Sequence, residues 1–289
     1  NPRGALQIST GMISTLEQQS ARALAAPYQE LADAVHQAEV VNIDETGWRE
    51  DRRKAWLWVT VTAMATVFTI AASRSGQVAR TVLGDKEDQV VGSDRFSAYN
   101  WIWAFWRQIC WSHLRRDFQA MIDRGGEAGV IGRRLMRLSD RVFGFWHRAR
   151  DGTLEYDCMR ESILRLRPAV RRALEDGTVC RCAMTAGTCA EILRVEEGLW
   201  NFVWFPGVEP TNNAAERAVR HAVIWRRISG GTDSQAGSRF VERMLTVVAT
   251  CRQQGRNVLD YLSSCFQAAR NGQAIPSLLP VAQAEIKAA

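Results

Sequence analysis

The sequence predicts an α/β fold whose strands gather in its first half and whose middle is helical. Three observations carry that prediction. Two short apolar runs, Val40-Val41-Asn42-Ile43 and Val90-Val91, lead into an aspartate, Asp44 directly and Asp94 after Gly92-Ser93. Residues 55–72 are rich in Val, Trp and Thr, the composition of paired strands. Residues from about 112 to 200 carry apolar positions at helical spacing and few strand signals.

Residues 12–38 hold helix formers, with Leu16, Ala23, Leu24 and Leu31 at near-helical spacing, and Pro27 inside the pattern predicts a kink or a restart. Leu6 to Thr15 can be read as the end of a helix-turn-helix turning at Ser9-Thr10-Gly11 or, in preference, as part of an ordinary amphipathic helix. The strand from Val40 is expected to end at Asp44, with polar residues following to Lys54. Two strands over 55–62 and 66–72 meet in a turn at Met64; a short helix covers 77–84; a strand tip carries Asp94; 107–111 is a further short strand. Pro206, Gly207 and Pro210 break the chain before a helix from about Asn212 to Arg227. A Gly/Ser/Thr loop, Ser229 to Ser238, precedes a long helix from about Arg239 to Gln254.

Three consecutive strands followed by alternating helix and strand is the order of a ribonuclease-H-like core, here with a large helical insertion and flanking helices. The expected organisation is a helical N-terminal segment over 1–38, readable as the end of a DNA-binding domain, and a first part of the core over 39–119. The helical insertion covers 120–205, the second part of the core 206–270, and a C-terminal tail 271–289.

The composition narrows the function. A hydrophobic fraction of 46% excludes a mostly disordered chain. No run approaches the roughly 18 apolar residues of a membrane span. The start, Asn1-Pro2-Arg3-Gly4, has neither a signal-peptide core nor an initiator Met, so a cytoplasmic protein that continues upstream is expected. The net charge is +6, and only Lys54, Lys86 and Lys287 are Lys, so the basic residues are nearly all Arg. Arg makes forked hydrogen bonds to phosphate, and an Arg-dominated basic chain leans towards nucleic acid. The seven Cys are odd in number and irregularly spaced, which argues against a disulfide framework.

Asp44, Asp94 and Glu216 are the candidate catalytic and metal-binding residues. Phosphodiester cleavage needs an in-line nucleophile and a stabilised leaving oxygen, and two Mg²⁺ ions about 3.5–4 Å apart serve both. Mg²⁺ takes oxygen ligands and keeps several waters, so a few carboxylates on rigid elements suffice. Each acid also has an ordinary reading: an Asp after a strand is commonly a turn residue, and a lone Glu on a helix is commonly solvated.

The blocks around these acids resemble a known family. Ile43-Asp44-Glu45-Thr46-Gly47-Trp48 resembles the first catalytic block of the insertion-sequence-66 family of transposases, and Ser93-Asp94-Arg95-Phe96-Ser97-Ala98-Tyr99 its second. Cys110-Trp111-Ser112-His113-Leu114-Arg115-Arg116-Asp117-Phe118 is similar to the segment that follows. Pro210-Thr211-Asn212-Asn213-Ala214-Ala215-Glu216-Arg217-Ala218 is similar to the block holding the catalytic Glu. The resemblance covers residues from about 40 to 265 and implies a bacterial DDE-type DNA transposase. It implies Asp44, Asp94 and Glu216 as the metal ligands, Mg²⁺ as cofactor with Mn²⁺ as a substitute, and hydrolysis at transposon ends followed by strand transfer into target DNA. Assembly as a homo-oligomer on DNA, with accessory proteins of the same element, is the corresponding expectation. The rival readings are a nuclease of the same fold without strand transfer, and a non-catalytic DNA-binding relic.

Several further residues are candidate DNA contacts in that light. Arg217, Arg220, Arg226 and Arg227 lie on the helix of Glu216 and either hold phosphates or form a solvated basic face. Trp101, Trp103, Trp106, Trp111 and Trp200 read mainly as core, and Trp204 is the candidate for stacking on an unpaired base. Cys110 and His113 form a Cys-x-x-His pair with no evident further zinc ligands; the pair is expected to pack close to the site, with His113 near a phosphate. The loop 229–238 either offers amides to phosphate or plainly connects two helices.

Overall fold

The computed structural model describes residues 9–279. In chain order these form α1 (Thr10–Ala23), α2 (Ala25–Gln37), β1 (Val40–Glu50), β2 (Arg53–Val61), β3 (Thr66–Ala71), α3 (Gly76–Leu83), β4 (Val90–Ser93) and β5 (Arg107–Ile109). Then come α4 (Trp111–Arg124), α5 (Gly126–Arg150), α6 (Tyr156–Thr178), α7 (Ala183–Arg194), α8 (Asn201–Trp204), α9 (Asn213–Ser229), α10 (Gln235–Gln253) and α11 (Val258–Arg270). The chain is an α/β protein with two compact units, one made of the chain up to Gln89 together with the chain from Ala214, the other of Val90–Asn213.

In the first unit β1, β2 and β3 form an antiparallel meander. The strand from Val40 does not stop at Asp44. It runs on to Glu50, because Thr46 and Trp48 continue the alternation against Leu57 and Ala55 of β2. The β1–β2 turn is closed by Asp51 and Arg52, both at positive φ (49° and 58°), the conformation of a tight two-residue hairpin. Asp44 is therefore a mid-strand residue.

One face of the meander presents Trp48, Ala55, Leu57, Val59, Phe68 and Ile70 to Ala215, Val219 and Ala222 of α9 and to Val241 and Leu245 of α10, as a single buried cluster. On the other face α2 packs against β3 and α3 against β2. Strand β3 lies at the edge of the meander, and α10 covers that edge with polar atoms. The N–H groups of Thr66, Phe68 and Ile70 donate to Thr250 Oγ1 (3.1 Å), Thr246 Oγ1 (3.0 Å) and Glu242 Oε1 (2.5 Å). Four helical residues rise about 6 Å and two strand residues about 6.6 Å, so every fourth residue of α10 meets every second residue of β3. An edge that would otherwise invite pairing with another chain is closed in this way.

Helix α1 starts where Ser9 accepts the Met12 N–H, and the helix breaks at Leu24. Pro27 falls in the first turn of α2, where a missing N–H leaves no helical bond unmade. The reading of Leu6–Thr15 as a helix-turn-helix lies partly outside the described residues; from Thr10 the segment is plain helix.

In the second unit β4 and β5 pair in parallel, Val91 opposite Arg107. Helices α4 to α7 form consecutive antiparallel neighbours, and every element from Trp111 to Trp204 is helical. Gly132 lets α5 approach α4: a Cβ there would lie 2.7 Å from the Phe118 carbonyl. Trp111 and Trp200 are fully buried and meet edge to face, 5.4 Å between centroids. All seven cysteines are free. Among the described residues no helix is long and apolar enough to cross a membrane.

Candidate functional site

Asp44 and Glu216 belong to the first unit. Residues opposed across an antiparallel pair point to the same face; Asp44 opposes Val59, and Val59 belongs to the cluster that holds α9. The half-buried Asp44 therefore faces the layer that contains α9. Glu216 sits in the first turn of α9, between the buried Ala215 and Val219, where the helix dipole favours a negative charge. Farther along the same pair of elements, the Arg226 side chain donates to Thr46 Oγ1 (3.2 Å) and to the Gly47 carbonyl. Helix α9 is thereby tied to β1 on the side where Asp44 projects.

Glu45 points the other way. Its partner across the pair is Trp58, its side chain is buried, and it is ion-paired with Arg74, whose Nε donates to Oε1 at 2.6 Å. The adjacent acids of the Asp-Glu-Thr block thus have different work: Glu45 fixes the segment after β3, and Asp44 stands on the α9 face. A Glu45→Gln change is not a silent control.

Asp94 belongs to the second unit and directly follows β4. Its Oδ1 accepts the Phe96 N–H (2.9 Å), a turn that fixes the carboxyl. Beneath it lies Arg107, 3% exposed. Its Nη2 donates to the carbonyls of Asp94 (2.8 Å) and Phe96 (3.1 Å), Nε to Ser93 Oγ (3.0 Å), and Nη1 to Asn100 Oδ1 (3.0 Å). Burial lowers the Arg107 pKa to about 10, against the raising effect of the Asp94 charge. One planar guanidinium thus splints the whole Ser93–Asn100 block. Sequence reasoning does not single out Arg107; the only signal is an Arg between Trp106 and Gln108 in a strand that otherwise reads as buried.

Cys110 precedes α4, and its Sγ accepts the Asn212 N–H at 3.2 Å. The Trp111 N–H donates to the Pro210 carbonyl (2.9 Å). The Cys-x-x-His segment therefore packs against the Pro-Thr-Asn-Asn segment in which Thr211 and Asn212 are buried. His113 Nε2 lies 3.2 Å from Arg116 Nη2, and the Cys110 and His113 ligand atoms lie within 4.8 Å of each other.

The other candidates sit at different places. Arg217, Arg220 and Arg227 are exposed on α9, and Arg226 is half-buried against β1. Trp204 is 46% exposed at the end of α8, with the Arg160 guanidinium over its ring at 5.8 Å. The connection between α9 and α10 is short, Gly230–Ser234, because α10 begins at Gln235, and it does more than join two helices. The Thr232 N–H donates to the Arg49 carbonyl and Asp51 N–H to the Thr232 carbonyl, both at 2.9 Å. Trp48 Nε1 reaches Thr232 Oγ1 (3.2 Å). The loop is a parallel bridge to the tip of β1.

An uncharacterised protein of Sinorhizobium fredii, y4qI, is 27% identical over 181 residues, 59% of this chain and 33% of that protein. The chain spans about a third of the length of this curated relative. The model of the Transposase IS66 family matches residues 3–239, and the chain belongs to that family.

Proposed function

We propose that this chain is the catalytic region of a DDE-type DNA transposase on a ribonuclease-H-like core. In it Asp44, Asp94 and Glu216 would hold two Mg²⁺ ions, for which Mn²⁺ would substitute. The observation that carries the reading is the separation of Asp44 from Glu45: one acid is consumed by Arg74, the other is presented on the α9 face where Glu216 lies. The three-stranded meander followed by helix and strand supports the core assignment. The donor set fits the ion, since carboxylate oxygens are what Mg²⁺ prefers. Bound there, two such ions would supply charge stabilisation for an in-line displacement at phosphorus.

The chain's own residues supply position and charge. Asp44 is held by a paired strand, Glu216 by a helix tied to that strand, and Asp94 by the Arg107 splint, so none of the three relies on a mobile loop. The Arg-rich surface, including Arg217, Arg220, Arg226 and Arg227, holds DNA phosphates; His113 contacts a phosphate, and Trp204 stacks on a base. Water attacks phosphorus at the transposon end and the P–O3′ bond breaks, leaving a 3′-OH and a 5′-phosphate; that 3′-OH then attacks a target phosphorus, displacing a target 3′-oxygen that leaves as a 3′-OH, with the protein assembled as a homo-oligomer on the ends and accessory proteins of the element present.

The test uses the full-length parent protein with DNA carrying its element's ends. Asp44→Asn, Asp94→Asn and Glu216→Gln should each remove Mg²⁺-dependent cleavage while leaving DNA binding largely intact, because each change keeps shape and loses one charge. Cleavage at the wild-type rate by Glu216→Gln would sink the assignment. Cleavage without strand transfer would make the protein a nuclease, and binding without either would make it a relic.

A further inference from the structure

We propose that the tip of the β1–β2 hairpin and the C-terminal end of α9 form a phosphate-binding cleft for the DNA backbone; this rests on the DNA-cleaving function proposed above. A cleft of about 680 Å³ is lined by Gly47, Trp48, Arg49, Arg52, Lys54, Arg226 and Gly230. Four of these seven residues are cations. Among the described residues none of the four is in an ion pair, although Glu50 and Asp51 lie at the same hairpin tip. Arg49 and Lys54 are direct cross-strand partners. Like charges so placed repel and weaken a hairpin, and an anion in the cleft would reverse that cost.

The hairpin is held rigid for the purpose. Arg226 is fixed by Thr46 and the Gly47 carbonyl, and the Gly230–Thr232 segment is bridged to Arg49 and Asp51. Arg49, Arg52 and Lys54 are exposed on this frame, with the Lys54 ammonium over the Trp56 ring at 5.0 Å. An unneutralised set of guanidinium and ammonium groups on a fixed backbone frame matches phosphate oxygens.

Its place relative to the acids suggests which phosphates. Arg49 lies five residues beyond Asp44 on β1, about 16 Å along a strand. Arg226 lies ten residues beyond Glu216 on α9, about 15 Å along a helix. Both elements run from an acid toward the cleft; the Arg226 side chain reaches back to Thr46 and Gly47, and strand alternation sends Arg49 to the face opposite Asp44. The cleft begins at Gly47, three residues beyond Asp44, so at about 3.4 Å of duplex axis per nucleotide it meets phosphates about three to five nucleotides from the bond to be cut.

The experiment measures affinity of the 289-residue chain for a duplex of about 40 base pairs and arbitrary sequence across a salt series. Arg49→Gln with Arg52→Asn removes two cleft charges; Asn suits the positive φ at position 52. Arg165→Gln with Arg172→Gln, both exposed on α6, is the equal-charge control. The cleft pair should weaken binding about tenfold or more near 0.1 M salt and reduce the log–log salt slope by about 2; the control pair should do much less. Equal effects of the two pairs, with both variants folded, would overturn the cleft and leave the catalytic assignment standing. No duplex binding by the wild-type chain at low salt would overturn the cleft too, and would count against a DNA-cleaving function as a whole.

Discussion

Glu242 should make the first unit less stable as pH rises through neutrality. Its side chain is fully buried on α10, where Oε1 takes the Ile70 N–H at 2.5 Å and Oε2 lies 3.0 Å from Arg239 Nε. Tyr28, Arg243 and Glu50 are the other titratable groups coupled to it. Burial pushes its carboxyl up to about 7; the Arg239 charge, the Ile70 hydrogen bond and the Arg243 charge pull it down without compensating, and the charge of Glu50 raises it further. The sign follows from proton binding. The folded state holds the proton more tightly than the unfolded one, so the stabilisation is complete below about 4.5 and is lost as pH rises to about 7. Each tenfold gain in proton affinity on folding is worth about 1.4 kcal/mol, so the loss is about 3 kcal/mol. Glu242→Gln keeps an acceptor for Ile70 and does not titrate, so any cost from its amide facing Arg239 is constant with pH. The assay is urea unfolding of both proteins from about pH 4.5 to about 8.5, with amide exchange at Thr66, Phe68 and Ile70 reporting on the β3 edge. The wild-type-minus-variant difference should fall by about 3 kcal/mol across that range. A difference flat to within about 0.5 kcal/mol would refute the reasoning, because it would mean that the carboxyl titrates alike folded and unfolded.

Two further outcomes follow from the geometry of the site. Arg107→Lys replaces a fork serving four acceptors with a single ammonium, so about two hydrogen bonds at about 1.5 kcal/mol each should be lost. Urea unfolding should show about 3 kcal/mol of destabilisation, and a variant as stable as wild type would mean that the fork is not what holds the Asp94 turn. Gly231→Ala places a methyl group against the Arg49 carbonyl at φ 119°, where a side chain is strained in any case. Thermal unfolding should report a loss of about 2 kcal/mol or more, whereas Gly152→Ala, with open space around its Cβ and φ 73°, should cost less.

The legible part of this protein is its order of elements and the positions of its candidate acids. Apolar alternation places β2 and β3 to within two residues, and turn residues place α3 and the start of α9. The Asp-Glu-Thr, Asp-Arg-Phe and Asn-Asn-Ala-Ala-Glu blocks mark the candidate acids because each block is contiguous in the chain. The extent of β1 is hidden for a physical reason. Beyond Asp44 the strand runs Glu45-Thr46-Gly47-Trp48-Arg49-Glu50, with Trp48 its one large apolar residue, so no apolar alternation marks it and its polar residues look like a loop.

What sequence alone determined is local: which segments are strands or helices, where the chain turns, which residues can ligate a metal, and that the charge suits DNA. Those properties arise from neighbours a few positions apart, and a period of two or of 3.6 makes them visible. What the tertiary structure decided is which like residues do unlike work. Glu45 and Asp44 are adjacent, yet the pleat sends one to Arg74 and the other to the α9 face. Arg107 is one of many Arg, but only folding surrounds it with four oxygens of the Asp94 block. Glu242, Thr246 and Thr250 read as polar residues on a helix until α10 lies along β3 and each meets a strand N–H. Partners so distant in sequence leave no periodic trace, because their meeting depends on how strands and helices pack rather than on the residues beside them.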